Sequence, residues 1–394
     1  MKRLLLIPVL VSFAVSCTRW TRVSQTSTPD LAERPTATFQ TTETPIPSAI
    51  QSYTLLREQG GRVSWLHTQD LIAFDAKGED RYFDVYIMNL DGTDLRCLTC
   101  ATAQVPQRNN GNPAWHPSGE WLVFQAQDPD LSTPTSILSN YITSPGVAVN
   151  NNLWVAKTDG SGFWQITEVE ARRGALHPHF SPDGTKLIWS EMIENAADNQ
   201  TGTWEIRMAD FSIQDEKPLL TNIQASRPED LQLYEMHGFS LDGKTIIFSG
   251  VEWGKYYYDL EIYTMNITTG DLQQLTNNDE WDEHAHFSPD GETILWVSSD
   301  ETPQVKSDTL PGIIEHPPKF EYWIMNADGS CKRRLSGFNH PQSPEYWPMG
   351  GGIGLGDFDW GPDGKTIVAK WRLGYGREAV ALIQFDFSVS DVCK

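Results

Sequence analysis

Short runs rich in β-branched and aromatic residues, separated by turn residues, fill most of the chain after residue 51. Five of them share one template, in which an aromatic residue is followed by a tight turn ending in glycine and then by a short apolar run. Proline presets φ and glycine supplies the positive φ of a tight reversal, so each copy predicts two antiparallel strands. The five copies are NPAWHPSGEWLVF (112–124), HPHFSPDGTKLIW (177–189), MHGFSLDGKTIIF (236–248), HAHFSPDGETILW (284–296) and DFDWGPDGKTIVA (357–369).

A second predicted hairpin follows most copies of the template. Segments such as DVYIMNLDGTDLRCLT (84–99) and EYWIMNADGSCKRRLS (321–336) contain an Asp-Gly reversal and end in Leu-Thr or Leu-Ser. TWEIRMADFS (203–212) and AVALIQFDFS (379–388) are weaker copies of the third strand. Four antiparallel strands per repeat are typical of a propeller blade, so the chain is predicted to be an all-β propeller.

These motifs resemble a known family of repeats. The aromatic-Ser-Pro-Asp-Gly turn, the Ile-Tyr-x-Met-Asn strand and the Leu-Thr ending are similar to TolB-like (WD40-type) β-propeller repeats over roughly residues 55–390. RVSWLHTQDLIAF (62–74) is a weak sixth copy, so the anchors favour six blades, although the length also allows seven. SYTLLR (52–57) is expected to complete the last blade, which would close the ring by pairing the chain ends.

The N-terminus predicts export. Lys2 and Arg3 precede an apolar run over residues 4–15, which is typical of a signal peptide covering residues 1–16. Ala14-Val15-Ser16-Cys17 resembles a bacterial lipobox, which implies that Cys17 is lipidated, whereas an ordinary cleaved signal would leave Cys17 free. Residues 17–50 are rich in Thr, Pro and Ser and are expected to be a tether, and residues 51–394 form the propeller domain.

The formal charge of −22, from 30 basic and 52 acidic residues, argues against nucleic acid or anionic lipid as the main partner. Together with the signal peptide and the lipobox-like segment, this leads us to expect an exported, monomeric lipoprotein on the periplasmic or cell-surface side. The lipid anchor would be its only contact with the membrane, and its partner a protein or polysaccharide of the cell envelope.

Candidate chemistry lies beside the aromatic anchors. Polar residues recur one and three positions before the anchors, with His237 one residue out of phase: Asn112, His177, His179, His284, His286, Asp357 and Asp359. Two imidazoles on one strand face could share a divalent cation, with manganese or calcium as the candidates. The alternative is a ring of hydrogen-bonded histidines with a structural role.

A second resemblance bears on this choice. The segment His284-Ala285-His286-Phe287-Ser288-Pro289 is similar to the His-x-Gln-Phe-Ser-Pro segment of oligogalacturonate lyases, propellers that hold manganese with several His and one Gln. The resemblance implies a metal-dependent polysaccharide lyase, but here His286 replaces the Gln. The only basic candidates for an acidic sugar are Arg172, Arg173 and Arg227, which lie in nearby loops.

Long insertions are expected at one mouth of the propeller, over residues 128–151, 192–202, 300–319 and 337–356. Trp253, Tyr256 and Trp347 are further candidates for ligand contacts, although packing could equally explain them. The acidic segment 277–283 could bind calcium or be a solvated loop. The sequence contains no Gly-x-Ser-x-Gly, His-Glu-x-x-His or phosphate-binding glycine loop.

Four cysteines besides Cys17 allow three disulfide pairings in an oxidising compartment. We favour Cys97–Cys100 and Cys331–Cys393, with a redox-active Cys97/Cys100 pair as the alternative. Taken together, the sequence favours a non-catalytic binding propeller over a metal-dependent lyase.

Overall fold

The computed structural model describes residues 48–100, 102–131, 139–194, 202–302, 305–306, 315–348 and 350–386. These residues form six four-stranded antiparallel sheets arranged in a ring, so the predicted six-bladed β-propeller is confirmed. The predicted signal peptide and nearly all of the tether, including Cys17, lie outside the described residues, as does Cys393.

Each of the first three blades runs in chain order from the axis outward. Their strands are β2 (Val63–Leu66), β3 (Leu71–Lys77), β4 (Phe83–Asn89) and β5 (Arg96–Cys97); β6 (Asn110–Trp115), β7 (Trp121–Gln127), β8 (Asn151–Lys157) and β9 (Phe163–Gln165); and β10 (Gly174–Phe180), β11 (Lys186–Glu194), β12 (Thr203–Gln214) and β13 (Lys217–Ser226). The third strand predicted over residues 203–212 is confirmed as β12, which forms with β13 the longest hairpin among the described residues.

Blades four and five follow the same order, and in the sixth blade the N-terminal strand is the outermost. Their strands are β14 (Leu233–Phe239), β15 (Thr245–Val251), β16 (Glu261–Asn266) and β17 (Leu272–Gln274); β18 (Asp282–Phe287), β19 (Thr293–Ser298), β20 (Glu321–Asn326) and β21 (Arg333–Arg334); and β22 (Ile353–Trp360), β23 (Thr366–Leu373), β24 (Arg377–Phe385) and β1 (Ile50–Glu58). The helical elements include α1 (Ser139–Ile142) and two 3-10 turns, Pro228–Asp230 and Tyr257–Asp259. No helix in the described part of the chain has the length and apolarity needed to cross a membrane.

The sixth blade closes the ring as the sequence predicted. Strand β1 contains residues 52–57 and pairs antiparallel with β24, where Tyr53 lies opposite Ile383 and Leu55 opposite Ala381. The N-terminal strand thus becomes the outermost strand of the last blade, which leaves no gap between the first and last blades.

The Leu-Thr and Leu-Ser endings have a structural reason. The hydroxyl of the final Thr or Ser accepts a hydrogen bond from a backbone N–H of the third strand, where the short fourth strand has already ended. Four blades repeat this contact: Val85 N to Thr99 Oγ1 (3.0 Å), Leu153 N to Thr167 Oγ1 (2.8 Å), Ile262 N to Thr276 Oγ1 (2.8 Å) and Tyr322 N to Ser336 Oγ (2.9 Å).

The apolar core lies between neighbouring blades rather than on the axis. Six buried clusters each combine side chains from two adjacent blades, and the largest, between blades five and six, packs Trp371 against Phe338 and Tyr53. Because each sheet buries both faces against its neighbours, the innermost strands are free to turn polar side chains toward the axis.

The propeller has two distinct ends. The turn face carries the reversals between first and second strands, with glycines such as Gly184 and Gly291 at positive φ. The loop face carries the connections between second and third strands and the links between blades, including the described parts of the predicted insertions.

Candidate functional site

The inner strands of five blades share one irregularity. The pairing register with the second strand shifts at Gly111/Ala114, Leu176/His179, Met236/Gly238, Glu283/His286 and Leu355/Phe358. Within three of these bulges Asn112, His177 and His284 have φ values of 51°, 49° and 53°, which are uncommon for residues other than glycine. A bulge breaks strand alternation and re-aims the side chain. The repeated bulge therefore determines which residues face the channel.

Five side chains meet on the axis, and we call them the axial cluster: His177, Glu235, Glu283, His284 and Asp357. His177 Nε2 lies 3.2 Å from Glu235 Oε1, and His284 Nε2 lies 3.4 Å from Glu283 Oε2. Asp357 Oδ1 lies 3.7 Å from His284 Nδ1 and 3.9 Å from His177 Nε2. Four of the five are buried and Asp357 is partly buried, so these charges and dipoles interact with little screening.

The environment of the axial cluster shifts its protonation. Burial lowers the pKa of His177 to about 3, so this imidazole is neutral at neutral pH. Burial, followed by the neighbouring Glu283 carboxyl group, raises the pKa of Glu235 well above its ordinary value. Burial alone would raise the pKa of Asp357, but His284, Arg62 and His177 bring it below its ordinary range.

A second group of imidazoles, His179, His237 and His286, forms what we call the imidazole layer. The rings of His179 and His286 lie 5.9 Å apart, and the ring of His237 lies 6.2 Å from His286 and 5.6 Å from His284. His237 Nε2 is 2.7 Å from Ser249 Oγ. Burial lowers the pKa of His179 to about 4 and lowers those of His237 and His286 well below the usual value. These rings therefore pack as neutral, hydrogen-bonding groups.

Two cavities meet at the axial cluster. The turn-side cavity, of about 410 Å³, is lined by the imidazole layer and opens between turn residues such as Pro117 and Pro289. The inner loop-side cavity, of about 190 Å³, is lined by Arg62, Glu235, Glu283 and backbone of the loop face. His177, His284 and Asp357 line both cavities, so the axial cluster lies between the two ends of the channel.

The axial cluster contains a set of atoms that could hold a cation. One oxygen each of Glu235 and Glu283 and a ring nitrogen of His284 lie within 4.8 Å of one another. Two carboxylates and an imidazole suit a divalent transition metal such as manganese or zinc, while calcium prefers oxygen ligands alone. The donor set therefore fits manganese, one of the two metals that the sequence suggested, with His284 as the ligand in common.

Sequence reasoning missed the two glutamates as ligands. It expected both histidines of one His-x-His pair to share a cation, but the bulges separate the members of each pair between the axial cluster and the imidazole layer. Glu235 lies two residues before His237, and Glu283 immediately precedes His284, so the only available signal was proximity to a marked histidine. Their convergence depends on the bulges and on the meeting of blades four and five.

Of the remaining polar candidates, the Asp359 side chain has a structural partner, whereas Nδ2 of Asn112 is buried with no hydrogen-bond partner among the described residues. Asn112 and Asp359 line the turn-side cavity. The Asn112 N–H donates to Asp75 Oδ2 (2.9 Å), and Asp359 Oδ2 accepts from Trp65 N (2.8 Å), which joins the last blade to the first.

The aromatic candidates lie elsewhere. Trp253 and Tyr256 are 53% and 50% exposed, and neither lines the cavities described above. Trp347 packs against the cluster around Trp371, with ring centroids 6.5 Å apart, so packing explains its position.

Two carboxylates of the acidic segment form ion pairs, and the described cysteines form disulfides. Asp279 Oδ1 lies 2.7 Å from Lys255 Nζ, and Glu280 Oε1 lies 2.7 Å from Lys306 Nζ, so two carboxylates of segment 277–283 are paired with lysines. A disulfide joins Cys97 and Cys100, whose Cα atoms are 5.6 Å apart. Cys331 is disulfide-bonded too, to a partner outside the described residues.

Comparison with known proteins adds information on the fold. No protein-family model matches the sequence. No curated protein matches it either. Among solved structures, the chain is similar to a putative TolB from Agrobacterium tumefaciens, at 14% identity over 83% of this chain and 91% of that one, with a TM-score of 0.48. TolB from Acinetobacter baumannii is 14% identical, with 84% and 66% of the two chains covered and a TM-score of 0.48.

An oligogalacturonate lyase in complex with manganese is 13% identical, with 88% of this chain and 98% of that chain covered and a TM-score of 0.45. At this identity the likeness is one of fold alone. The resemblance predicted from the repeats is thus confirmed at the level of architecture: the chain is similar to TolB-like β-propellers.

Proposed function

We propose that this protein is an exported lipoprotein whose propeller binds a protein or polymer partner at its loop face. Below that face, the axial cluster holds a divalent transition metal. The apolar run over residues 4–15 and the lipobox-like end at Cys17 support export and anchoring. The loop face is the end at which the long connections lie, and loops on a rigid scaffold are where binding residues concentrate.

The proposed metal site rests on one observation: buried ligand atoms of Glu235, Glu283 and His284 lie within 4.8 Å of one another. Three buried donors of the right chemistry from two blades form a preorganised site, because the blades fix their backbones before any ion arrives. When bound there, a divalent ion would act as a Lewis acid toward an oxygen atom of the ligand. Glu235, Glu283 and His284 would hold the ion, and His177 and Asp357 would orient these ligands.

Metal content tests the proposal. The purified protein is loaded with manganese, zinc or calcium, desalted and analysed by inductively coupled plasma mass spectrometry. We expect about one equivalent of manganese or zinc in the wild type, and at least a tenfold loss in Glu235→Gln/Glu283→Gln. Glu58→Gln/Glu216→Gln is the matched control, because it removes two exposed glutamates, one at the end of β1 and one in the turn between β12 and β13. Equal metal content in all three proteins would refute the metal site.

Thermal melting separates loss of metal from loss of fold. In metal-free protein, Glu235→Gln/Glu283→Gln should melt at or above the wild-type temperature, because it removes two neighbouring buried carboxylates. Added metal should raise the melting temperature of the wild type alone, since only that protein offers the complete ligand set. A double variant that melts well below the wild type in metal-free buffer would indicate a structural role for the glutamates instead.

A metal-dependent lyase is the second candidate, and one observation favours it. His177 and Arg62 line the same cavity, so an imidazole that could accept a proton lies near a guanidinium that could bind the sugar carboxylate. In such an elimination, a base removes the proton next to the sugar carboxylate, a C=C bond forms and the glycosidic C–O bond breaks. Incubating the manganese-loaded protein with oligogalacturonate and following the absorbance of the unsaturated product tests this. No product above that of the Glu235→Gln/Glu283→Gln protein would exclude this substrate.

A further inference from the structure

One cavity on the loop face has a charge opposite to that of the chain. This cavity lies next to the inner one, measures about 750 Å³, and is called here the outer loop-side cavity. Among the described residues, its charged lining consists of four cations, Arg62, Lys77, Arg81 and Lys370, and one carboxylate, Glu378. In a protein of formal charge −22, four cations around one cavity form a local positive field.

The inner end of this cavity is built around Arg62. Its Nη1 lies 3.4 Å from Asp75 Oδ2, and Asp75 also accepts hydrogen bonds from the Arg62 N–H (3.0 Å) and the Asn112 N–H (2.9 Å). Asp75 is fully buried and the Arg62 side chain is 13% exposed. The Arg62 Nε is buried and has no hydrogen-bond partner within the described ranges. The guanidinium is thus held in place by Asp75 while part of its donor capacity is unused.

The backbone on the other side leaves room for the guanidinium. Gly146, in the connection between β7 and β8, lies directly against it, and a Cβ atom there would collide with Nη2. Gly146 also has φ +90°, a value that favours glycine. Arg62 and Gly146 line both loop-side cavities, so the positive cavity leads directly to the axial cluster.

Lys370 completes the inner end, and the rim is formed by exposed cations. Lys370 Nζ lies 3.2 Å from Glu378 Oε1, the one carboxylate among the described residues that line the outer cavity. Lys77 ends β3, Arg81 lies in the link to β4, and both are exposed. Because Asp75 pairs with Arg62 and Glu378 pairs with Lys370, the two rim cations leave the outer cavity with a net positive charge.

We propose that the outer loop-side cavity binds a ligand that carries several oxyanion groups. Arg62 and Lys370 would hold one group at the inner end, and Lys77 and Arg81 would contact others at the rim. Arginine matches the planar geometry of carboxylates and phosphates, and burial strengthens such charge-assisted hydrogen bonds. This inference rests on the proposed binding role of the loop face and names the ligand class, but it does not require the metal.

Isothermal titration calorimetry tests this with two probes. Metal-free protein in low-salt buffer is titrated with tricarballylate, which carries three carboxylates, and separately with inorganic pyrophosphate. We expect saturable binding of at least one probe with a Kd below about 1 mM, weakened by added salt. Binding of tricarballylate alone identifies a carboxylate ligand and binding of pyrophosphate alone a phosphate ligand, while binding of neither probe would overturn the proposal.

Charge-matched variants locate the binding site. Lys77→Gln/Arg81→Gln alters only exposed rim residues and should weaken binding about tenfold. Lys217→Gln/Lys365→Gln removes the same charge from exposed positions on β13 and the turn face, and it should stay within about twofold of the wild type. Equal weakening in both pairs would show that only the overall field matters, and no weakening in the rim variant would place the anion elsewhere. Either result overturns the proposal.

Arg62→Lys probes the inner end. It keeps the charge opposite Asp75 but loses the planar fork, so we expect at least a fivefold loss of affinity. An affinity equal to that of the wild type would remove Arg62 from the site. Because the titrations use metal-free protein, the proposal can fail while the metal site stands, and it can hold while the metal site fails.

Discussion

The two faces of the propeller hold their carboxylates in opposite ways. On the turn face, Asp183 and Asp242 are exposed and accept hydrogen bonds from serines two residues earlier, at 2.6 and 2.7 Å, and these bonds lower the pKa of both groups. At the loop-face end of the strands, Asp75 and Glu321 are fully buried. Burial raises the pKa of Glu321 to about 7 although it accepts bonds from Ser336, Phe338 and Asn339.

The two faces are stabilised by contacts of different range in sequence. The turn face is held by hydrogen bonds within one short motif, so every copy of the motif folds in the same way. The loop face depends on residues that are distant in sequence, such as Asp75 and Asn112, 37 residues apart. Buried charge there costs solvation energy, which is a common property of binding and catalytic sites. The loop face is therefore the part of the fold in which buried charge lowers stability.

Asp75→Asn should have the largest effect on this contrast. The variant leaves the nearly buried guanidinium of Arg62 without its countercharge, so we expect a loss of about 3 to 5 kcal/mol in the free energy of unfolding. Urea denaturation followed by tryptophan fluorescence measures it. A loss below about 1 kcal/mol would mean that Arg62 finds another partner and that the loop face is less interdependent than described.

Glu321 should give the loop face a pH dependence opposite to that of the turn face. The pKa of Glu321 is about 7 in the folded protein, above the ordinary value of 4.5. Its contribution to the free energy of unfolding is therefore fully present below pH 4.5 and is lost as the pH rises through about 7. The shift corresponds to about 3 kcal/mol at most. Groups with lowered pKa, such as Asp183, instead lose stabilisation as the pH falls.

The measurement is the free energy of unfolding between pH 4.5 and 7.5, compared between the wild type and Glu321→Gln. The difference between the two isolates Glu321 from Asp282, whose pKa burial also raises to about 7. Stability of the wild type should fall more steeply with rising pH than that of the variant. Parallel curves would show that Glu321 does not titrate in this range, in spite of its burial near Arg334.

Asp183→Asn should have the smallest effect and is the turn-face counterpart of Asp75→Asn. It weakens the bonds from Ser181 Oγ (2.6 Å) and Thr185 N (3.0 Å), which are exposed and local. We expect a loss of about 1 kcal/mol or less, measured by the same urea denaturation. A loss as large as that of Asp75→Asn would erase the distinction between the two faces.

Much of the fold could be predicted because its signals are local. The Pro-Asp-Gly turns and the repeated copies of the template each need only their own neighbours in sequence. The closing strand at residues 52–57 is different, because it pairs with residues 380–384 and was expected only as the missing fourth strand of the last blade. The strand over residues 203–212 was also predicted, but its long partner β13 was not, since no Asp-Gly reversal marks the turn at residues 215–216.

The site was predictable only in part. All five histidines marked beside the anchors line the channel, since the repeat places equivalent positions on the axis. Their partners were not predictable: Glu235 and Glu283 come from neighbouring blades, and Arg62 begins the weak sixth copy of the template, where nothing marked it as a binding residue. Arg173, a basic candidate from the sequence, instead pairs with Glu170 at 3.2 Å.

The sequence by itself determined the repeat and the positions at which histidines face the axis, because turn chemistry and strand periodicity act over a few residues, and it favoured six blades over seven. Only the tertiary structure decided which charges meet. The bulges divide each His-x-His pair between two layers, ring closure brings Arg62 of the first blade beside Lys370 of the last, and the axis brings Glu235 to Glu283. Such encounters depend on the geometry of the whole ring, and no local pattern encodes them.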